Sequence, residues 1–155
     1  MKTLTSFAGL FCLFILMVSC NSGAKDPVQA SERLLSPTKW YISEIWVNDA
    51  LTFSEGKMKP QFGGIEFDRY MESVAFKKEG IFLGYFKDDS KAMTLRWKVN
   101  QANVSVGAVD STAKGGEWTI APQDVLKGAF TMKTQSTAYD FPRMTKIALK
   151  YKTDQ

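Results

Sequence analysis

From Lys39 to the end of the chain, apolar and aromatic residues recur at every second position in short runs, and turn-forming residues interrupt them about every ten residues. No segment holds a helical period for longer than about one turn. A period of two places successive side chains on opposite faces of a strand, so each run has one face to bury. Met93, Leu95, Trp97 and Val99 alternate with Thr94, Arg96 and Lys98 and give the cleanest half-buried strand. Glu72 to Lys77 and Ile81 to Phe86 form a hairpin around Glu79-Gly80, with Val74 and Phe76 opposite Phe82 and Gly84. Lys39 to Val47, Ile65 to Phe67, Val104 to Val109, Glu117 to Ala121, Ala129 to Lys133 and Lys146 to Lys152 supply the other strands. Turns fall at Asn48-Asp49, at Lys87 to Ser90, at Asn100 to Asn103 and at Lys114 to Gly116. Leu51 to Gly64 is polar and marked by Gly and Pro, and is expected to be a long loop. Asp124 to Lys127 is expected to form one short helical piece. About eight or nine short strands with regular turns specify an all-β fold, an antiparallel sandwich or barrel.

The front of the chain has a different character. Lys2 precedes an uncharged apolar run from Phe7 to Val18. Such a run is too short for a hydrocarbon core of roughly 30 Å, which takes about 20 helical residues. A positive residue followed by a short apolar run is the pattern of an export signal. The run ends in Leu16-Met17-Val18-Ser19-Cys20, which resembles the bacterial lipobox: an aliphatic residue, small residues and then an obligatory cysteine. The resemblance implies a signal peptide over residues 1–19 and a mature chain that starts at a lipidated Cys20. Cys12 and Cys20 are the only cysteines, and Cys12 leaves with the signal. The folded domain is then left without a free thiol or a disulfide. Anchoring to the bilayer through more than one acyl chain is stable, at about 0.8 kcal/mol per buried CH₂. Residues 20–33, NSGAKDPVQASER after the cysteine, are small and polar and are expected to form a flexible linker, about 20 Å end to end as a coil. Ser31 to Leu35 is expected to form one helical turn with Ser31 as its cap, and residues 34–155 to form the folded domain.

Composition removes most catalytic chemistries. The chain contains no histidine. Histidine-based acid–base catalysis, Ser–His and Cys–His nucleophiles and nearly all zinc sites are therefore absent. No Gly-rich phosphate loop is present. Asp88-Asp89-Ser90 is dense in oxygen but lacks the spacing of a calcium loop, and reads as a hairpin turn. The formal net charge is +4, with both signs scattered along the chain, so no nucleic-acid-binding stripe stands out. Glu66 and Asp68 share a strand face as a carboxylate pair, which surface solvation also explains. Glu44 lies between tryptophans. If Trp40, Ile42 and Trp46 face inward, Glu44 does too and must be paired or protonated, with Arg96 or Arg143 as partner. A bulge or register shift would instead leave it in solvent. No catalytic residue, metal ligand or cofactor is expected.

Leu34-Leu35-Ser36-Pro37-Thr38-Lys39-Trp40 looks like the entry to a lipocalin-like domain, where a short helical turn leads into a first strand whose early tryptophan plugs one barrel end. Trp40 matches that tryptophan, and Thr38 replaces the usual glycine two residues before it. Phe76 to Gly80, Trp97, Trp118-Thr119-Ile120 and the closing Arg143 to Lys152 are similar to the lipocalin-like lipoproteins of Bacteroidetes. The resemblance implies an antiparallel up-and-down β-barrel of about eight strands, with a central cavity for a small apolar or amphipathic ligand. Trp40, Glu44, Trp46, Phe76, Phe82, Trp97 and Trp118 are the candidate ligand-binding residues. Core packing alone also accounts for the aromatic members of that set. Two functions are expected: a non-catalytic lipid-anchored ligand binder, or a solid barrel that contacts an envelope protein. In the second case Leu51 to Gly64 and Thr134 to Arg143, with Phe53, Met58, Phe62, Tyr139 and Phe141, are the contact segments. Asn21 after the lipid-bearing cysteine favours the outer membrane, facing the periplasm. The mass of the exported protein checks the first step: a chain beginning at Cys20 with fatty acyl groups is expected, and a Cys20→Ser variant should leave the membrane fraction.

Overall fold

The computed structural model describes residues 22–59, 70–109 and 116–153, without the side chains of residues 138 and 139. Helix α1 (Pro27–Leu35) precedes ten strands: β1 (Trp40–Val47), β2 (Ala50–Ser54), β3 (Lys57–Met58), β4 (Met71–Lys77), β5 (Ile81–Phe86), β6 (Met93–Val99), β7 (Val104–Gly107), β8 (Trp118–Ile120), β9 (Ala129–Asp140) and β10 (Arg143–Lys152). The strands form one antiparallel sheet in which β4 to β10 follow each other as neighbours and β1 pairs with both β4 and β10. Eight strands thus close into an up-and-down barrel. The β2–β3 hairpin continues the same edge of β1 beyond β4: Trp40 and Tyr41 pair with β4, and Glu44 to Val47 pair with β2.

Alternation explains the strand positions. Val74 pairs with Gly84 and Phe76 with Phe82, as the hairpin pattern predicts. In the turn Glu79 has φ 67° and Gly80 φ 73°. A Cβ at Gly80 would also lie 2.8 Å from the Trp97 carbonyl oxygen, so glycine suits the position on two counts. The long loop expected over Leu51 to Gly64 instead begins with the β2–β3 hairpin, turned at Glu55-Gly56 with both φ positive. Positive φ at both central residues matches the twist of a tight hairpin. β9 runs on to Asp140, beyond the strand end expected at Lys133 and into the expected contact segment Thr134 to Arg143. The expected helical piece at Asp124 to Lys127 is a 3₁₀ turn at Pro122–Asp124. Ile65 to Phe67 lies outside the described residues.

The expected tether is folded from residue 22 onward. Asp26, not Ser31, caps α1, accepting the Gln29 N–H, and Pro27 occupies the first turn. Ala30, Ser31 and Leu34 form the buried face of the helix, which packs on β4, β6, β7 and the 3₁₀ turn and covers one barrel end. We call this the closed end, and the opposite end, at the β1–β2, β5–β6 and β9–β10 turns, the mouth.

Inside the closed end the aromatic rings interlock. Phe130 meets Trp40 edge-on at 5.0 Å, Phe76 edge-on at 5.6 Å and Tyr151 in a stack at 5.1 Å. Phe76 also meets Phe82 and Trp97 edge-on. The Trp40 indole N–H donates to the Leu34 carbonyl, so the plug residue is tied to the end of the helix. The buried Tyr151 hydroxyl donates to the Met71 carbonyl, and burial pushes its phenol above the ordinary tyrosine range. Removing one of these rings leaves a void that so many contacts cannot fill. Phe130→Ala should cost about 3–5 kcal/mol. Urea unfolding measures it, and a loss below about 1 kcal/mol would show that the cluster is not the core's anchor.

Candidate functional site

The expected site residues divide into three places. Trp40, Phe76 and Phe82 are interior and buried. Trp97 and Trp118 are half-buried and pack against the core; the Trp97 indole donates to the Lys77 carbonyl. Glu44 and Trp46 stand outside the barrel wall. Trp40 and Ile42 follow the inward face, but the ladder to β10 shifts between Ile42 and Glu44. That bulge moves the inward positions to Ile45 and Val47, both with no accessible surface, and turns Glu44 and Trp46 outward. The inward tryptophan set expected from the sequence therefore loses Trp46.

Outside, Glu44 is the centre of a small polar network. Its Oε1 accepts from Lys150 Nζ at 2.9 Å, directly across the ladder, and its Oε2 accepts from the Trp46 indole N–H at 2.9 Å. Burial pushes the Glu44 carboxyl up. The hydrogen bonds from Lys150 and Trp46, with the charges of Lys150 and Lys152, outweigh it and hold the group below the usual carboxylate range. Neither arginine expected as its partner is used. Arg96 donates to the Glu79 carbonyl and Arg143 pairs with Asp140. Pairings place Trp46 beside Ala148 and Tyr41 beside Lys152, so the outer face of β1 and β10 carries Tyr41, Trp46, Lys146, Lys150 and Lys152. The register shift is the alternative that the sequence left open for Glu44; the outward turn of Trp46, and the face the two share with the β10 lysines, show only in the pairing with β10.

The mouth is the third place. Phe86 and Met93 pack on the core and, with Asp89, Ser90, Lys91 and Ala92, line an open hollow of about 540 Å³ at the β5–β6 turn. On β10 the inward-facing Thr145 is 1 % exposed, and its hydroxyl has no hydrogen-bond partner among the described residues. Phe141 is 84 % exposed at the β9–β10 turn. Of the other expected contact residues, Phe53 is buried and Met58 exposed. Cys20, Phe62, Glu66 and Asp68, and the side chain of Tyr139, lie outside what is described.

The interior decides what the barrel can hold. Trp40, Ile45, Val47, Val74, Phe82, Val104, Val106, Ile120, Phe130, Met132 and Tyr151 have 1 % exposure or less. The space that a Cβ would take at Gly84, across from Val74, is filled by the Met71 sulfur. Every barrel strand except β6 contributes a side chain of at most 5 % exposure to this packing, and Leu95 and Trp97 of β6 lie against it. Among the described residues no group of three or more acidic or cysteine side chains is placed to hold a metal.

Set against family models, curated proteins and solved structures, the chain matches none. One prediction concerns Glu44. Its lowered pKa means that its pairing stabilises the fold above the unfolded glutamate range, near pH 4.3, and that this contribution is lost as pH falls through the lower folded value. Glu44→Gln should cost about 1 kcal/mol or less at neutral pH, with the difference from the parent fading in acid. Urea midpoints across the pH range check it; a difference that grows in acid would contradict the assignment.

Proposed function

We propose that this chain is a non-catalytic, lipid-anchored module of the bacterial envelope whose barrel is filled with its own side chains, and which acts by presenting its outer wall to a protein partner. The observation that carries this reading is the closed-end and mid-barrel packing, where interior side chains have essentially no accessible surface. An eight-stranded barrel is narrow enough for side chains to fill it. Of the two functions expected from the sequence, this packing favours the solid barrel over the interior ligand binder. The lipobox-like start and the lipocalin-like pattern supply the anchor and the fold family in this reading.

The outer face of β1 and β10 is the contact surface we assign. Trp46 is 36 % and Tyr41 41 % exposed, and Lys146 and Lys152 are exposed beside them. Exposed aromatic side chains supply contact area, and the lysines favour an acidic partner. A second reading has one specific support. A small amphipathic molecule entering at the mouth would give the Thr145 hydroxyl, which has no partner among the described residues, an acceptor or donor.

Two measurements separate the readings. A photo-crosslinking residue at Tyr41 in intact cells is expected to yield one discrete adduct that is lost when Lys146, Lys150 and Lys152 are replaced by Glu. Native mass spectrometry of the folded domain is expected to show no retained small molecule. A stoichiometric apolar ligand that survives purification, with no adduct at the outer face, would contradict the proposal.

A further inference from the structure

Ser22, Gly23 and Ala24, which lie just after the expected lipid attachment point, are strapped to the closed end. The Ala24 N–H donates to the carbonyls of both Pro122 (3.0 Å) and Val125 (2.9 Å). Arg33 reaches back from α1 and donates to the carbonyls of Ser22 and Val125, each at 2.9 Å. Gly23 lies so close to the 3₁₀ turn that a Cβ there would land on the Gln123 backbone. These contacts join the strap, the helix and the β8–β9 connection at one place. Ala24 is buried there, so the strap belongs to the core rather than to the surface.

Cys20 precedes Ser22 by two residues. Two residues of fully extended chain span at most about 7 Å. A diacylated cysteine that sits in the bilayer therefore cannot be far from the strap. We infer that the closed end of the barrel is the membrane-facing surface, seated directly on the phospholipid headgroups, with the mouth and its exposed Phe141 held away from the bilayer. This inference rests on the lipid anchor proposed above. It replaces the flexible spacer expected from composition with a fixed orientation.

The surface at that end fits the role. Val28, 60 % exposed, stands on the side of α1 away from Ala30 and Leu34, where it can meet the interface. Lys25 and Lys127 are exposed at the same end, with Asp26 at the helix cap and Glu32 on the helix as opposing charges. The orientation also sets what the outer wall can touch. The β1–β10 face runs from the closed end, at Tyr41 and Lys152, toward the mouth, at Trp46 and Lys146. A partner bound there would lie alongside the barrel rather than between it and the membrane.

The test uses the full exported protein, purified with its lipid and reconstituted in vesicles of phosphatidylethanolamine and phosphatidylglycerol that carry a headgroup spin label. Single fluorophores are placed through Lys127→Cys at the closed end and through Met144→Cys at the mouth; an acylated Cys20 thioether does not react with the dye. Quenching several-fold stronger at position 127 than at 144 is expected. A flexible insert of about 15 Gly and Ser residues between Asn21 and Ser22, adding about 20 Å of reach, should abolish the difference. Gly23→Ala, which dislodges the strap, should reduce it while the near-ultraviolet circular dichroism of the barrel is retained. Equal quenching at both positions, in protein whose mass shows the acyl groups, overturns the orientation and leaves the anchor standing. A mass without acyl groups overturns the anchor and the orientation with it.

Discussion

The contact on which the rest of the structure depends is the seam between β1 and β10, and the aromatic cluster that it closes over. β1 must turn Trp40 inward to meet Phe130, and β10 must turn Tyr151 inward to stack on the same ring. Without that seam β1 and β10 would expose two sheet edges, and the apolar faces of all eight strands would have no common interior. With it, one ring system links β1, β4, β5, β6, β9 and β10. The helix completes the arrangement from outside the sheet, because the Leu34 carbonyl is the acceptor for the Trp40 indole. A buried indole N–H without an acceptor would cost about 1–3 kcal/mol, so the helix end and the plug residue specify each other.

Much of this was legible in the alternation. The hairpin of β4 and β5 followed from apolar positions of period two on either side of Glu79-Gly80, and β6 from the clean run Met93 to Val99. The same turn signal was present, and overlooked, at Glu55-Gly56: polar flanking residues hid a hairpin whose backbone has the same positive φ pair. The helix was hidden in a similar way. Asp26-Pro27 is a strong start signal, but the segment's small polar composition outweighed it in the reading as a tether. β9 was cut short because Thr134 to Thr137 are polar, although Thr134 is buried and its hydroxyl is satisfied by the Glu117 carbonyl.

The candidate site was legible only in part, for a physical reason. A period of two states which residues share a face, not where the ladder takes up an extra residue. Trp40, Ile42, Glu44 and Trp46 form an unbroken alternating set in the sequence, and only the register with β10 shows that the set changes face after Ile42. The one shift moves a carboxylate and a tryptophan from the interior to the outer wall. There Lys150, across the ladder, pairs with the carboxylate that would otherwise have needed a partner inside. It also leaves the inward positions to Ile45 and Val47, side chains that pack without polar groups to satisfy. The buried apolar positions of Ile45 and Val47 and the lysine–aromatic outer wall are thus two consequences of the same bulge.

The proposed function requires an interior occupied by the protein's own atoms. Apolar voids in proteins stay dry and take up xenon readily. Crystals of the folded domain exposed to xenon gas should therefore show no xenon within the barrel around Trp40, Phe130 and Met132. An ordered xenon atom inside that ring of side chains would contradict the account and return the barrel to the class of ligand carriers.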